Sequence, residues 1–144
     1  MSEPDLKRFA LLSDLTDSDR EAVAELLEPI ELATGRQCFR EGQEADGLLL
    51  IDRGELRLES LRSGELGSAG EASAIGGLSL LLVGIREITA VAVGPTRVLQ
   101  LSRAAFVRLA EDHPRAALRL VQAIATEFAG AVREGLDRMA PPAG

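Results

Sequence analysis

The sequence predicts an α+β fold that is mainly β: a barrel or sandwich of short strands, with helices before and after it. Three observations carry the expectation. All but Gly130, Gly135 and Gly144 of the 14 glycines fall within residues 30–101, where they separate apolar runs of strand length. Apolar residues at the helical spacing of three and four occur on either side of that stretch. The 144 residues contain no internal repeat and no linker, so both textures belong to one domain.

An N-terminal helical segment is expected over residues 1–29. Leu6, Phe9, Leu11, Leu12 and Leu15 suggest a short apolar helix or turn. Thr16-Asp17-Ser18-Asp19 then offers a hydroxyl N-cap with an acidic first turn. Ala22, Val23, Leu26 and Leu27 recur at helical spacing, and Pro29 marks the end region. Residues 30–101 read as a β-roll. Leu48–Ile51 is one strand; Leu56 and Leu58 alternate with Arg57 and Glu59, the period of a half-exposed strand; Ile88–Val93 and Val98–Leu101 are two more. Residues 102–140 return to helix. Ser102 is a good N-cap for Ala104–Leu109, and Pro114 suits the first turn of a new helix. Leu118, Val121, Ala125, Phe128, Val132 and Met139 follow in helical steps. Pro141-Pro142 ends that helix, and residues 141–144 are expected to be a disordered tail.

Composition excludes several functions. With 46% hydrophobic and 27% charged residues, the chain can bury a core without metal or disulfide staples. Its one cysteine, Cys38, allows no intrachain disulfide, and a reducing cytoplasm is the simplest setting. Glu3 and Asp5 precede any apolar run, unlike a signal peptide. No apolar run approaches the ~20 residues that span a bilayer, so no membrane insertion is expected. A net charge of −7, scattered basic residues and 3% aromatics make a poor nucleic-acid partner. A metal site of the kind some jelly rolls hold needs several histidines, and the chain has one. Serine nucleophile elbow, P-loop lysine and Cys-x-x-Cys pair are all missing from the sequence, and no enzyme is expected.

The chemistry concentrates in residues 75–91. They read Ile75-Gly76-Gly77-Leu78-Ser79-Leu80, then Leu81-Leu82-Val83-Gly84-Ile85, then Arg86-Glu87-Ile88-Thr89-Ala90-Val91. A glycine-rich turn opens a short apolar segment, and one arginine heads a β-branched run. That is the layout of a phosphate cradle: backbone N–H groups at the start of a helical turn face an anion, and a guanidinium closes over it.

The segment resembles the phosphate-binding cassette of the cyclic nucleotide-binding domain family, which runs roughly Phe-Gly-Glu-Leu-Ala-Leu with an arginine further on. Two more regions support the resemblance. Glu41-Gly42-Gln43-Glu44-Ala45-Asp46-Gly47, Leu48–Ile51 and Asp52-Arg53-Gly54-Glu55-Leu56 look like the family's pair of glycine-turned strands. Arg97–Phe106 and Glu111-Asp112-His113-Pro114 resemble its last strand, the helix after it and the corner into a long C-terminal helix. The match runs from about Leu12 to Leu136 and implies a jelly-roll β-barrel flanked by N-terminal helices and a long C-terminal helix. Many bacterial members continue into a helix-turn-helix DNA reader, and none is expected after the long helix here.

The resemblance assigns roles residue by residue. Gly76, Leu78 and Ser79 would supply backbone donors, and Arg86 would pair with the phosphate of cyclic AMP or cyclic GMP. Gly77 stands where the family's glutamate takes the ribose 2′-hydroxyl, and it cannot accept that bond. Glu87 stands where a small hydroxyl residue is expected and brings negative charge; Thr89 follows in the strand. A lost bond to a charged group costs roughly 1.5–3 kcal/mol. A carboxylate about 4 Å from a phosphate repels it by up to ~4 kcal/mol at an effective dielectric near 20. Together they would lower affinity by roughly three to five orders of magnitude.

Each residue also has a structural reading. Arg86 is then a strand arginine, Gly76-Gly77 a tight turn and Thr89 an ordinary strand residue. Phe128 is core, dimer seam or a cap on a ligand base; His113 is a helix-start residue; Cys38 is an inert buried thiol. The sequence therefore predicts a non-enzymatic regulatory module with weakened or altered nucleotide binding. It would act on an unknown partner protein, or as a homodimer through the C-terminal helix. The alternatives are a working cyclic nucleotide sensor and a domain with a changed ligand that lacks the ribose contact or carries a positive group toward Glu87.

Overall fold

The computed structural model describes residues 5–139; the tail expected at 141–144 lies outside them. Leu6–Arg8 and Ala10–Leu12 form two 3-10 turns rather than a helix, and Leu6, Phe9, Leu11, Leu12 and Leu15 are all buried. Helix α1 (Asp17–Ala24) starts where Thr16 caps it: Thr16 Oγ1 accepts from the Asp19 N–H, and the Asp19 carboxylate accepts in return from the Thr16 N–H. Leu26 and Leu27 lie beyond the helix, because the chain already enters strand β1 (Glu28–Leu32). Pro29, expected at a helix end, sits in that strand opposite Leu99. β1 is an edge strand, where a missing N–H disturbs the ladder least.

Nine more strands follow: β2 (Gln37–Phe39), β3 (Glu44–Ala45), β4 (Leu48–Arg53), β5 (Leu56–Ser60), β6 (Gly64–Ala69), β7 (Ala74–Ile75), β8 (Gly84–Ile85), β9 (Thr89–Ala92) and β10 (Thr96–Leu101). They form two four-stranded sheets in the orders β1-β10-β4-β7 and β2-β9-β5-β6, plus the pair β3-β8. Every pairing is antiparallel, and the whole is a jelly-roll β-barrel.

β4 shows why the sheets close. Its first four residues are buried without a break, the signature of a strand covered on both faces. Leu48 and Leu50 face the helices, where they join Leu99, Leu101, Leu109 and Leu120. Leu49 and Ile51 face the inside of the roll, with Phe39, Leu56, Ala90 and Val98. Each such side chain contributes roughly 1.5–3 kcal/mol by leaving water, so one strand links both cores.

Ser102 Oγ accepts from the Ala105 N–H and starts α2 (Arg103–Asp112). His113 ends it by donating to Leu109 and accepts from Ala117, joining α2 to α3 (Pro114–Met139). The buried residues of α3 are Ala116, Ala117, Leu120 and Ile124, all in its first half. Arg119 pairs at 2.6 Å with Asp19, so the α1 cap also holds α3. Burial alone would raise the Asp19 carboxyl, but the hydrogen bonds from Arg119 and Thr16 outweigh it and hold the group below its ordinary value.

Candidate functional site

Residues 76–80 form a tight turn. Gly76 adopts a left-handed φ of +81° and precedes a 3-10 turn, Gly77–Leu80. A Cβ at Gly76 would lie 2.5 Å from Arg86 Nη1 and 3.1 Å from the Gly47 carbonyl oxygen. The backbone angle favours glycine, and a side chain here would displace the tip of Arg86.

Arg86 is held from both sides of its own backbone. Its N–H donates to Gln43 at 2.7 Å, and its carbonyl accepts from Gly42 at 2.8 Å. The side chain is only 8% exposed. Its guanidinium stands 4.6 Å from the centre of the Phe39 ring and donates to the Gly47 carbonyl at 3.4 Å. Among the described residues no carboxylate oxygen comes within 4.0 Å of it. Burial lowers the Arg86 guanidinium from its ordinary value, opposed by the nearby Cys38 and Asp46. Cys38 is a half-buried free thiol, pushed up to about 11 by burial despite the charge of Arg86. A thiol held protonated in this way is a poor nucleophile.

The other expected residues are placed as follows. The Ser79 N–H donates to the Gly76 carbonyl at 2.9 Å and so closes the turn, while the N–H groups of Gly76, Gly77 and Leu78 have no backbone partner among the described residues. Leu78 is partly exposed and Leu80 is buried. Thr89 is buried in β9, and its Oγ1 accepts from the Glu41 N–H at 2.9 Å, which commits it to the strand framework. Glu87 is exposed and makes no ion pair with Arg86. Repulsion from an exposed carboxylate is screened by water and salt, well below the full Coulomb figure.

Gly77 faces α3. A Cβ there would lie 3.3 and 3.4 Å from the two γ carbons of Ile124. The same helix closes a cleft of about 250 Å³ over the cassette. Gly76, Gly77 and Leu78 form its floor, Leu48 and Ala74 one wall, and Ile124, Glu127 and Phe128 another. Glu127 is the one charged side chain of that lining.

Sequence reasoning gave no role to four residues that shape the site. Phe39 and Gly47 contact the guanidinium of Arg86, and Ile124 crowds the side-chain position at Gly77. Arg103 binds the cassette: its Nε donates to the Ser79 carbonyl at 3.0 Å. The glycine of Asp46-Gly47 and the arginine after the Ser102 cap are visible in the sequence. What they touch lies 24 or more positions away, beyond any local pattern.

The roll, the glycine-opened turn and the buried guanidinium beside it belong to one jelly-roll domain. A family model described as the cyclic nucleotide-binding domain matches residues 29–113, and the chain belongs to that family. It is similar to the lysophospholipase nte1 of Neurospora crassa, 31% identical over 106 residues that cover 71% of this chain. The chain spans 7% of the length of the curated relatives it matches. Among solved structures it is similar to the N-terminal domain of a transcriptional regulator from Streptomyces coelicolor A3(2), with TM-score 0.79, 26% identity and coverage of 88% of this chain and 94% of that one. It is also similar to the catabolite activator protein of Thermus thermophilus, with TM-score 0.74, 27% identity and coverage of 90% and 62%.

Proposed function

We propose that this domain is a regulatory module whose cradle takes the phosphate of an anionic small molecule, with nucleotide binding altered because no carboxylate stands at position 77. Arg86 carries the reading. Taking a lone ion out of water costs several kcal/mol, and a cation–π contact such as that with Phe39 returns about 0.5–2 kcal/mol. A phosphate between the Gly77 and Leu78 N–H groups and Arg86 makes up the difference with charge-assisted bonds. A ribose hydroxyl finds no acceptor at Gly77, which lowers affinity for cyclic AMP or cyclic GMP by roughly tenfold to hundredfold at 1.5–3 kcal/mol. The exposure of Glu87 weakens the second penalty, so binding is reduced rather than abolished. In this reading the domain performs no catalysis, works in the cytoplasm, and passes occupancy to a partner protein through α3.

Calorimetric titration with cyclic AMP, cyclic GMP and inorganic phosphate tests it. Wild-type protein is expected to bind at least one of them, and Arg86→Gln to weaken that binding at least tenfold while melting cooperatively. Heat from none of the three would make Arg86 a structural arginine and the domain an interaction scaffold. Tight binding of a cyclic nucleotide by the wild type would instead mark a working nucleotide sensor.

The second half of α3 favours a particular partner, a second copy of the chain. Phe128, Val132, Leu136 and Met139 recur every three or four residues and are 50%, 43%, 62% and 81% exposed. Gly135 borders the same face, has open space around it and permits close approach. Phe128→Glu is expected to convert a dimer to a monomer in light scattering; an unchanged dimer mass would place the seam elsewhere.

A further inference from the structure

The geometry points to Arg103 as the positioning residue of the cradle and as the link that carries the state of the cradle into α2. Arg103 is the first residue of α2 and is half-buried. Its fork serves no carboxylate within 4.0 Å among the described residues. Instead Nε donates to the Ser79 carbonyl at 3.0 Å, inside the cassette turn, and Nη2 donates to the Ala45 carbonyl at 2.5 Å, in β3. Its own N–H donates to Asp46 Oδ1 at 3.0 Å, so the segment that takes its side chain also caps its helix. A planar guanidinium can hold two carbonyls on separate segments in one fixed geometry; an ammonium cannot.

The second half of the inference follows from what else grips residues 45–47. Arg86 donates to the Gly47 carbonyl, so the two guanidiniums hold one three-residue turn at opposite ends. The turn is pressed onto the β10–α2 junction, since a Cβ at Gly47 would lie 2.1 Å from the Leu101 carbonyl oxygen and 2.9 Å from the Ser102 Cα. The Arg86 contact at 3.4 Å is long and easily exchanged. An anion that draws Arg86 away releases one end of the turn while Arg103 keeps the other. The first turn of α2 then reads whether the cradle is filled. This half rests on the anion-binding reading given above; the hold of Arg103 on the cassette does not.

Amide exchange followed by mass spectrometry on the full chain separates the two. In the free protein, Arg103→Gln is expected to speed exchange at residues 77–82 at least tenfold, with Arg103→Lys intermediate. Peptides of β4 and β10 should exchange as in wild type. Unchanged exchange at 77–82 overturns the inference, and so does equal acceleration across the whole chain, the mark of a merely structural residue. If Arg103→Gln does not fold, Arg103→Lys decides by the same criterion. In the second arm cyclic AMP is added. The wild type should gain protection at 77–82 and at 103–106, and Arg103→Lys at 77–82 alone. Equal protection of 103–106 in both overturns the link. Where cyclic AMP does not bind, cyclic GMP or inorganic phosphate takes its place; if wild type binds none of the three, the reading of the cradle fails and with it the link, while the free-protein exchange still decides the hold.

Discussion

Gly47→Ala is expected to destabilise the protein by about 2–5 kcal/mol, and Gly42→Ala by only about 1–2 kcal/mol. The two glycines have nearly the same backbone, with φ of +92° and +88°, so the left-handed strain of about 1–2 kcal/mol is common to both. They differ in space. A Cβ at Gly42 meets nothing within 4 Å, whereas at Gly47 it meets the Leu101 carbonyl oxygen at 2.1 Å. That oxygen is main chain on β10, the strand paired to both β1 and β4, so it cannot swing aside as a side-chain tip would. Overpacking of this kind adds roughly 1–3 kcal/mol, a large part of the 5–15 kcal/mol typical of a whole domain. Urea denaturation of the two variants measures the difference. Equal losses would mean that the turn yields without disturbing the β10–α2 junction.

The second large effect concerns the missing carboxylate. Gly77→Glu alone is expected to leave affinity for cyclic AMP little changed, whereas Gly77→Glu with Ile124→Ala should raise it about tenfold to hundredfold over Ile124→Ala alone. The reason is steric. The side chain at 77 leaves the backbone toward the γ carbons of Ile124 at 3.3 and 3.4 Å, and the rest of a glutamate has to pass them. Shortening Ile124 opens the path at a cost of about 2–5 kcal/mol in stability, because it removes a buried side chain. Titration of the three variants beside wild type decides the matter. Equal gains in the single and double variants would show that α3 is no obstacle. No gain in either would mean that a carboxylate at 77 does not reach the ligand.

Much of the fold was legible because local chemistry and tertiary need coincide. The Thr16 and Ser102 hydroxyls, the unbroken apolar run of β4 and Pro114 at the start of α3 are each readable within a few residues, and each stands where expected. Pro29 misled because a proline near a helical pattern also suits an edge strand, and edge status depends on a partner, Leu99, far along the chain. For the site, Gly76 and Arg86 were legible as types at a spacing, and they do meet. The sequence could not show that Glu87 faces solvent, that Thr89 serves Glu41, or that Ile124 fills the space beside Gly77. Those are facts of side-chain direction and of long-range packing, for which a single chain carries no periodic signal.

The uneven burial of α3 has a consequence for its folded length. From Glu127 onward no residue of the helix is buried, and two glycines lie in that half, each weakening a helix by about 1 kcal/mol relative to alanine. A segment of roughly a dozen residues is marginal as an isolated helix in water. The outer half of α3 therefore sits near the balance point between helix and coil, and its nucleus is the inner half clamped at Leu120 and Ile124. Whatever covers Phe128, Val132 and Leu136 adds to that nucleus and lengthens the ordered helix, and whatever loosens Ile124 at the cassette moves the point of fraying inward. The cradle and the outer surface are then two ends of one helix–coil equilibrium.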